Sequence, residues 1–234
     1  SNVIGSSITR EADYSIYTHA GPEIAVASTK AYTSQITILT LIALYCAETL
    51  QRVDESKIET LKSDLLKLPS KVEEVLKNTA EVKKFAKKVY KERDMFFLGR
   101  GVDYAVSLEG SLKLKEISYI HSEGYASGEL KHGPIALIDN GVTVIATITD
   151  KDLVEKSISN VQEVITRGAK VLAVTNQNIE NKGFEAIIKI PEISTELSPV
   201  LSIIPLQLLA YYISKEKGLD VDKPRNLAKS VTVE

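Results

Sequence analysis

The sequence predicts an α/β fold in which helices cover both faces of a central parallel sheet. Short apolar runs alternate with amphipathic helical segments between residues 95 and 217, and this alternation is typical of parallel sheets. The chain has 234 residues, 44% of them hydrophobic, which is enough for one large domain or two small ones. Its net charge of −2 does not indicate nucleic acid or an anionic membrane as a partner. The single cysteine, Cys46, excludes an internal disulfide scaffold and favours a reducing cytoplasm.

The first 52 residues predict a strand followed by one long helix. The segment DYSIYTHA, residues 13–20, is expected to be a strand. After a loop that contains GPE, a helix is expected over about residues 28–50, capped by the hydroxyl of Ser28 or Thr29. The apolar stretch at residues 36–47 is too short to span a bilayer, so we expect it to be a buried helix.

A charged segment then connects this region to the rest of the chain. Residues 53–92 carry apolar side chains at helical spacing, which predicts a helical connector. Pro69 lies inside the pattern and is expected to divide it into separate helices, because proline lacks the amide hydrogen that a helix interior needs.

Strands and helices alternate regularly over residues 93–217, which we expect to form one complete module. The predicted strands cover residues 95–99, 142–149, 170–175 and 185–190, and the predicted helices cover 102–120, 151–167 and 196–217. The tail, residues 218–234, has neither pattern, so it is expected to be either disordered or held by a site.

A weak internal repeat relates the two ends of the chain. Residues 12–48 and 183–216 share the order acidic residue, short strand, loop with a glutamate, and long apolar helix. If both segments end the same kind of module, the first module shows only its last strand and helix. It would then lack about 70 to 100 of the roughly 120 residues that such modules contain.

The predicted helix over residues 102–120 carries the first candidate site. Glu109, Lys113 and Glu116 fall at i, i+4 and i+7, so they share one stripe of the helix. The stripe could be a solvated ladder of ion pairs. Alternatively, Glu116 could transfer protons in a cleft, with Lys113 fixing its charge state or attracting an anion, which requires that the carboxylate be partly desolvated.

Three further features could carry chemistry, and each has a simpler explanation. His132, in GELKHGP, could exchange protons near neutral pH or could be a surface histidine bonded to the backbone. The motif LGRG, residues 98–101, could be an anion cradle or only a tight turn. His121 directly follows the apolar helix and is expected to be structural. No cysteine–histidine cluster has zinc spacing, and no metal or other cofactor is expected.

Three stretches resemble a known family. They are EGSLKLKEISYIHSEGYASGELKHGPIALID, AGPEIAVASTKAYTSQ and the terminal DVDKPRNLAKSVTVE. They are similar to the isomerase region of the glucosamine-6-phosphate synthases, the glutamine–fructose-6-phosphate aminotransferases. The resemblance runs from about Val3 to Glu234 and implies an SIS-type three-layer α/β/α sandwich with a central parallel sheet. On this basis, residues 1–52 would be the C-terminal part of a first SIS subdomain and residues 93–217 a complete second one.

The resemblance also implies a reaction and a role for each candidate residue. Fructose 6-phosphate would open, form a Schiff base with a lysine, receive ammonia released from glutamine, and be isomerised to glucosamine 6-phosphate. The Schiff-base lysine matches Lys229, and the carboxylate that moves a proton between C1 and C2 matches Glu116. Lys113 matches its neighbouring lysine. His132 matches the ring-opening histidine, which the family supplies across a homodimer interface.

The resemblance assigns backbone contacts with the sugar to Val26 and Ala228, and it has clear departures. The family's phosphate-binding loop, of the type Ser-Gln-Ser-Gly-Glu-Thr, does not occur in the sequence, and neither does the glutaminase domain. We therefore expect a truncated chain that binds fructose 6-phosphate poorly and cannot use glutamine.

Three alternatives remain at this stage. The chain could belong to another SIS phosphosugar isomerase or a fructosamine-phosphate deglycase, to a sugar-phosphate sensor, or to a protein with a structural or interaction role. The ending RNLAKSVTVE favours the aminotransferase.

Overall fold

A computed structural model describes residues 1–229, in which helices pack around one five-stranded sheet. The α-helices are α1 (Ser7–Glu11), α2 (Lys30–Thr49), α3 (Glu55–Lys77), α4 (Ala80–Val89), α5 (Val102–Ser118), α6 (Val154–Ile165) and α7 (Ser198–Glu216). The strands are β1 (Asp94–Gly99), β2 (His121–Ala126), β3 (Thr143–Ile148), β4 (Lys170–Thr175) and β5 (Ala186–Lys189). Two 3-10 helices, Ser127–His132 and Pro134–Leu137, connect β2 to β3.

All strand pairs in the sheet are parallel, and the strand order is β2-β1-β3-β4-β5. Phe97 of β1 lies between Gly124 of β2 and Ile145 of β3. The chain leaves β1 in one direction and β3 in the other, so the order reverses between these two strands. In sheets of this kind, ligands bind outside the carboxyl ends of the strands.

The core consists of two layers, one on each face of the sheet. Phe97 and its outward-alternating neighbours pack with apolar residues of α4, α5 and α7. Phe96 and Leu98 point to the opposite face, where they pack with α6 and with Leu130 of the first 3-10 helix. This arrangement confirms the predicted parallel sheet with helices on both faces.

Two strand predictions were wrong, and both errors concern pairing partners. Residues 13–20 form no strand, because no other strand of the described chain lies beside them; Thr18 N instead donates to Ser1 O at 2.9 Å. Conversely, β2 was missed in the sequence. Its residues HSEGYA are polar and contain glycine, and they form a strand because β1 supplies a ladder at the sheet edge.

The connector and α2 also differ from expectation. Pro69 does not end α3, which continues to Lys77; the break comes at Asn78 and Thr79. Pro69 is exposed, so the carbonyl that loses its partner lies on the solvent side of the helix. Helix α2 forms as predicted but is not buried, because within residues 1–229 Leu44 is its one buried residue.

Candidate active site

The stripe of charges on α5 lies in the interior of the fold. The side chain of Lys113 is 6% exposed, whereas Glu109 and Glu116 are 17% and 22% exposed. The ammonium of Lys113 lies 2.6 Å from Glu116 Oε2 and 3.4 Å from Glu109 Oε1. Since all three groups are largely removed from water, the solvated-ladder interpretation was wrong.

Packing of α5 explains why its charged stripe faces inward. Gly110 lies so close to α7 that a Cβ atom on it would be 2.6 Å from Leu206 Cδ1. This contact fixes the rotation of the helix about its axis. Leu108 and Leu112 lie on a different, largely apolar stripe of the same helix, yet they are 44% and 42% exposed. Hydrophobicity alone therefore gives the wrong face of this helix.

The two carboxylates of the cluster, Glu109 and Glu116, differ in their surroundings. Burial raises the pKa of Glu109; the Lys113 ammonium opposes that rise, and the negative charge of Glu116 adds to it. Glu116 Oε2 is buried, and although Lys113 Nζ lies 2.6 Å away, the two are not aligned as a hydrogen bond. A partly desolvated carboxylate beside one ammonium is suited to accepting and returning a proton.

Lys229 lies at the other end of the chain, on the loop before α2. Its Nζ donates to Ala25 O at 3.2 Å, Val26 O at 3.0 Å and Ser28 Oγ at 2.9 Å. An ammonium has three donors, so all of them are used. The structure thus brings together Lys229 and Val26, which are more than 200 positions apart in the sequence.

The tail that carries Lys229 is held between this loop and the end of α5. Val26 N donates to Asp222 O at 3.0 Å. Arg225 N donates to the Tyr119 hydroxyl at 2.8 Å, and its guanidinium lies 4.2 Å from the centre of the Tyr119 ring. Tyr119 directly follows α5 in a left-handed conformation, one turn after Glu116. The tail therefore makes direct contacts both with loop 25–28 and with Tyr119 at the carboxyl end of α5.

Ala228 is exposed, next to Lys229, and the predicted tail continues beyond it. Residues 230–234 of the predicted tail lie outside the described part of the chain. The described part of the tail, residues 218–229, contacts loop 25–28 and Tyr119 as given above.

His132 lies away from this site. It ends the first 3-10 helix and is exposed. Leu130 packs in the layer on one face of the sheet, and Leu114 of α5 packs in the layer on the other face. A single chain therefore does not bring His132 to Lys113 and Glu116. His121 is also exposed, and its Nδ1 lies 2.8 Å from Asp94 Oδ1 at the amino end of the sheet.

The N-terminus of α2 is not capped by the residues that the sequence predicted. Neither Ser28 nor Thr29 caps α2; the carboxylate of Glu23 accepts from Thr29 N and Ala31 N, at 3.2 Å each. Ser28 Oγ is instead engaged by Lys229. A glutamate before a helix can take the capping role, so the GPE motif was a signal that sequence reasoning missed.

The LGRG motif is a tight turn. A Cβ atom on Gly99 would lie 2.2 Å from Asp103 O, and Gly101 has a φ of +55°. Asp103, in the first turn of α5, is buried and accepts from Thr149 N at 2.7 Å, and burial raises its pKa. A carboxylate at this helix start works against binding an anion there, so the structure favours the turn over the cradle.

Across residues 1–229, no group of three or more histidine, cysteine, aspartate or glutamate side chains is placed to hold a metal ion. No helix in that part of the chain is long and apolar enough to cross a membrane.

Comparison with known proteins places the chain among sugar-isomerase folds. The profile of the SIS domain matches residues 88–214. Over its whole length the chain is 59% identical to a glutamine–fructose-6-phosphate aminotransferase (isomerizing) of Clostridium perfringens and 47% identical to that of Thermococcus kodakarensis. The chain spans about 39% of the length of these curated relatives.

Solved structures give the same result. The C-terminal domain of glucosamine-fructose-6-phosphate aminotransferase from Francisella tularensis superposes with a TM-score of 0.90 at 38% identity, over 95% of this chain and 63% of that one. Glucosamine-6-phosphate deaminase from Thermotoga maritima superposes with a TM-score of 0.68 at 25% identity, over 97% of this chain and 63% of that one.

Proposed function

The chain belongs to the SIS domain family, and on that premise we propose that it forms the isomerase region of an enzyme that makes glucosamine 6-phosphate. The substrates would be fructose 6-phosphate and ammonia derived from glutamine. One observation carries the proposal: the tail folds back so that Lys229 lies on the Val26 loop, while Arg225 of the same tail contacts Tyr119 at the end of the helix that bears Lys113 and Glu116. The names of the relatives support the same reaction.

Lys229 is the proposed nucleophile. Its ammonium first releases one of its three acceptors and loses a proton. The free amine then attacks C2 of the open-chain ketose, and water leaves to give a protonated Schiff base. The backbone carbonyls of Ala25 and Val26 hold the amine in position before attack and are free to hydrogen-bond the sugar afterwards.

Glu116 is the proposed proton carrier. After ammonia replaces Lys229 at C2, Glu116 removes a proton from C1 and returns one to C2, which gives the aldehyde of glucosamine 6-phosphate without change in composition. Its geometry supports this role, because Oε2 is buried and accepts no hydrogen bond within residues 1–229, so this oxygen is available to take a proton. Lys113 would neutralise Glu116 between the two transfers and limit repulsion from Glu109.

His132 would open the sugar ring in a homodimer. Its exposure, on the opposite side of the sheet from Lys113, supports a role at a neighbouring subunit's site rather than at its own. Ala228 and Val26 would contact the sugar through their backbones.

The proposed division of the chain follows the same function. Residues 1–52 would end a first SIS subdomain, 53–92 would connect, 93–217 would form a second SIS subdomain, and 218–234 would complete the active site. Because no loop of the Ser-Gln-Ser-Gly-Glu-Thr type occurs in the sequence, these 234 residues alone would bind fructose 6-phosphate weakly. Calorimetry that found a micromolar dissociation constant would contradict that expectation.

Trapping of the Schiff base tests the proposal. The full-length gene product would be mixed with fructose 6-phosphate, reduced with borohydride and mapped by peptide mass. A hexitol phosphate on the peptide that contains Lys229 is expected. The adduct should be lost in Lys229→Ala and kept in Lys223→Ala, a matched change of an exposed lysine in the same tail.

A second variant separates the two chemical roles. Glu116→Gln should still form the adduct but lose isomerisation, since only the proton transfer is removed. If the protein binds the sugar and traps nothing at Lys229, the aminotransferase proposal fails, and a simple SIS isomerase or a sugar-phosphate sensor takes its place.

A further inference from the structure

The two halves of the internal repeat carry the same tripeptide in the same place. Pro-Glu-Ile occurs at residues 22–24, before α2, and again at 191–193, before α7. In the first loop, carbonyl oxygens just after the tripeptide accept from Lys229. In the second, the carbonyl of Glu192 accepts from Lys71 Nζ at 2.5 Å. Each loop is therefore occupied by a lysine that comes from a distant part of the chain.

The second loop borders a polar cavity of about 490 Å³, which we name the α3 cavity. It lies outside the carboxyl ends of β3, β4 and β5 and is closed on one side by α3. Its principal polar lining is Asp64, Lys71, Lys151, Gln177, Glu192 and Ser194. Its size is in the range of small-molecule sites, and it lies at the sheet edge where α/β proteins bind ligands.

The α3 cavity combines ammonium groups, which could bind an anion, with a carboxylate, which could accept hydrogen bonds from hydroxyl groups. Lys71 uses one of its three donors on Glu192 O, which leaves two for an anion. Lys151 is exposed and adds a second ammonium. Partial burial of Asp64 raises its pKa, but two effects outweigh this: the hydrogen bonds that Ser194 donates to it, and the positive charges of the nearby Lys67 and Lys71. Together they hold the pKa of Asp64 below its ordinary value. This carboxylate therefore stays an acceptor for hydroxyl or ammonium groups.

We propose that the α3 cavity is a second sugar-phosphate site, separate from the site at Lys229. Lys71 and Lys151 would hold the phosphate, and Asp64, Glu192 and Gln177 would receive the sugar hydroxyls. The proposal rests on the proposed function only in taking the first Pro-Glu-Ile loop as a sugar site; binding in the α3 cavity does not require Lys229 to react.

Amide NMR of the 234-residue chain tests this, because it reports where a ligand binds. Glucosamine 6-phosphate would be titrated while the amide signals of Gln177 and Ser194 are followed for the α3 cavity and that of Val26 for the Lys229 site. We expect saturable shifts at Gln177 and Ser194. In the double variant Lys71→Ala/Lys151→Ala, the dissociation constant from those signals should rise at least about tenfold, since charged hydrogen bonds to phosphate are lost.

Lys77→Ala is the matched control, because Lys77 is an exposed lysine on the same helix outside the cavity. It should leave the constant unchanged, and unchanged Phe97 signals would show that each variant is folded. Three results would overturn the proposal: no saturable shift at Gln177 and Ser194, an unchanged constant in the double variant, or equally tight binding of inorganic phosphate alone. Absence of shifts at Val26 with binding at Gln177 would leave the second site standing and would agree with the weak sugar binding expected of these 234 residues at the Lys229 site. The proposed function is tested separately, by borohydride trapping at Lys229.

Discussion

Helices α2 and α7 end the two halves of the repeat, and both are apolar around most of their circumference, yet they have opposite fates. Thirteen of the nineteen residues of α7 are buried, but only one of the twenty residues of α2 is. Helix α7 lies against the sheet and between α4 and α5, whereas within residues 1–229 α2 makes only sparse contacts, with α3 and with α7 itself. An apolar helix is thus expected to pack against other elements, but its composition does not show whether the fold supplies a surface that covers it.

Truncation of one leucine in each helix gives the largest expected difference. Leu209 of α7 is fully buried, so Leu209→Ala should lower the free energy of unfolding by about 2–5 kcal/mol, through lost contacts and a cavity. Leu39 of α2 is 61% exposed, so Leu39→Ala should change the free energy of unfolding by less than about 0.5 kcal/mol. Urea unfolding of the two variants measures both values. Equal losses would mean that α2 is covered in solution, for example in an oligomer.

The strands at the centre of the five-stranded sheet were the most predictable part of the molecule. In β4, for example, every residue from 171 to 175 is β-branched or apolar, and the position of such a strand needs no knowledge of its neighbours. By contrast, β2 and residues 13–20 depend on whether a pairing strand lies beside them, and no local pattern contains that information. Pro69 likewise continues in a helix because its solvent-facing side tolerates the missing hydrogen bond.

A second difference between the two helices is that α7 packs closely against α5, at Gly110. Gly110→Ala would place a methyl group 2.6 Å from Leu206 Cδ1 and 3.2 Å from Phe97 Cε1, so we expect a loss of about 1–3 kcal/mol. Gly128→Ala is the control, because the atoms nearest its new methyl group belong to the guanidinium of Arg100, at 3.2–3.4 Å, the far end of a flexible side chain. Urea unfolding should show a loss for the first variant and little for the second. If both glycines tolerate alanine, α5 and α7 are not locked together as described.

The sequence indicated candidate residues but not how the fold arranges them. Spacing put Glu109, Lys113 and Glu116 on one stripe, yet whether that stripe faces water depends on Gly110 and α7. The tail lysine gave no local signal at all, and only the resemblance singled out Lys229. Its contacts with Ala25 and Val26 join two ends of the chain, so they follow from the fold rather than from any local pattern.

Burial of a carboxylate on α5 predicts that stability depends on pH in a way that an exposed carboxylate on α3 should not reproduce. Burial raises the pKa of Glu109 above its ordinary value of 4.5. At a pH between 4.5 and the raised pKa, Glu109 has lost its proton in the unfolded chain but keeps it in the folded chain. The free energy of unfolding therefore falls as pH rises through this interval. Glu109→Gln removes that fall. The stability of the variant relative to the wild type should therefore increase as pH rises from 4.5, and then level off.

Urea unfolding at several pH values measures this effect, with Glu74→Gln as the control. Glu74 is exposed on α3, and its replacement should give a difference that stays flat with pH. A rise of the same size for both variants would show that the stripe on α5 is solvated after all.

The smallest expected effect concerns Lys229, which joins the tail to the loop before α2. Its side chain is exposed, and its hydrogen bonds replace bonds to water, so Lys229→Ala should change the free energy of unfolding by less than about 0.5 kcal/mol. The same change should abolish borohydride trapping. A residue that is costless for stability but required for the adduct acts in chemistry rather than in folding. If Lys229→Ala instead destabilises the protein as strongly as Leu209→Ala, the lysine fastens the poorly covered α2 region to the rest of the fold, and the loss of trapping would no longer identify it as the nucleophile.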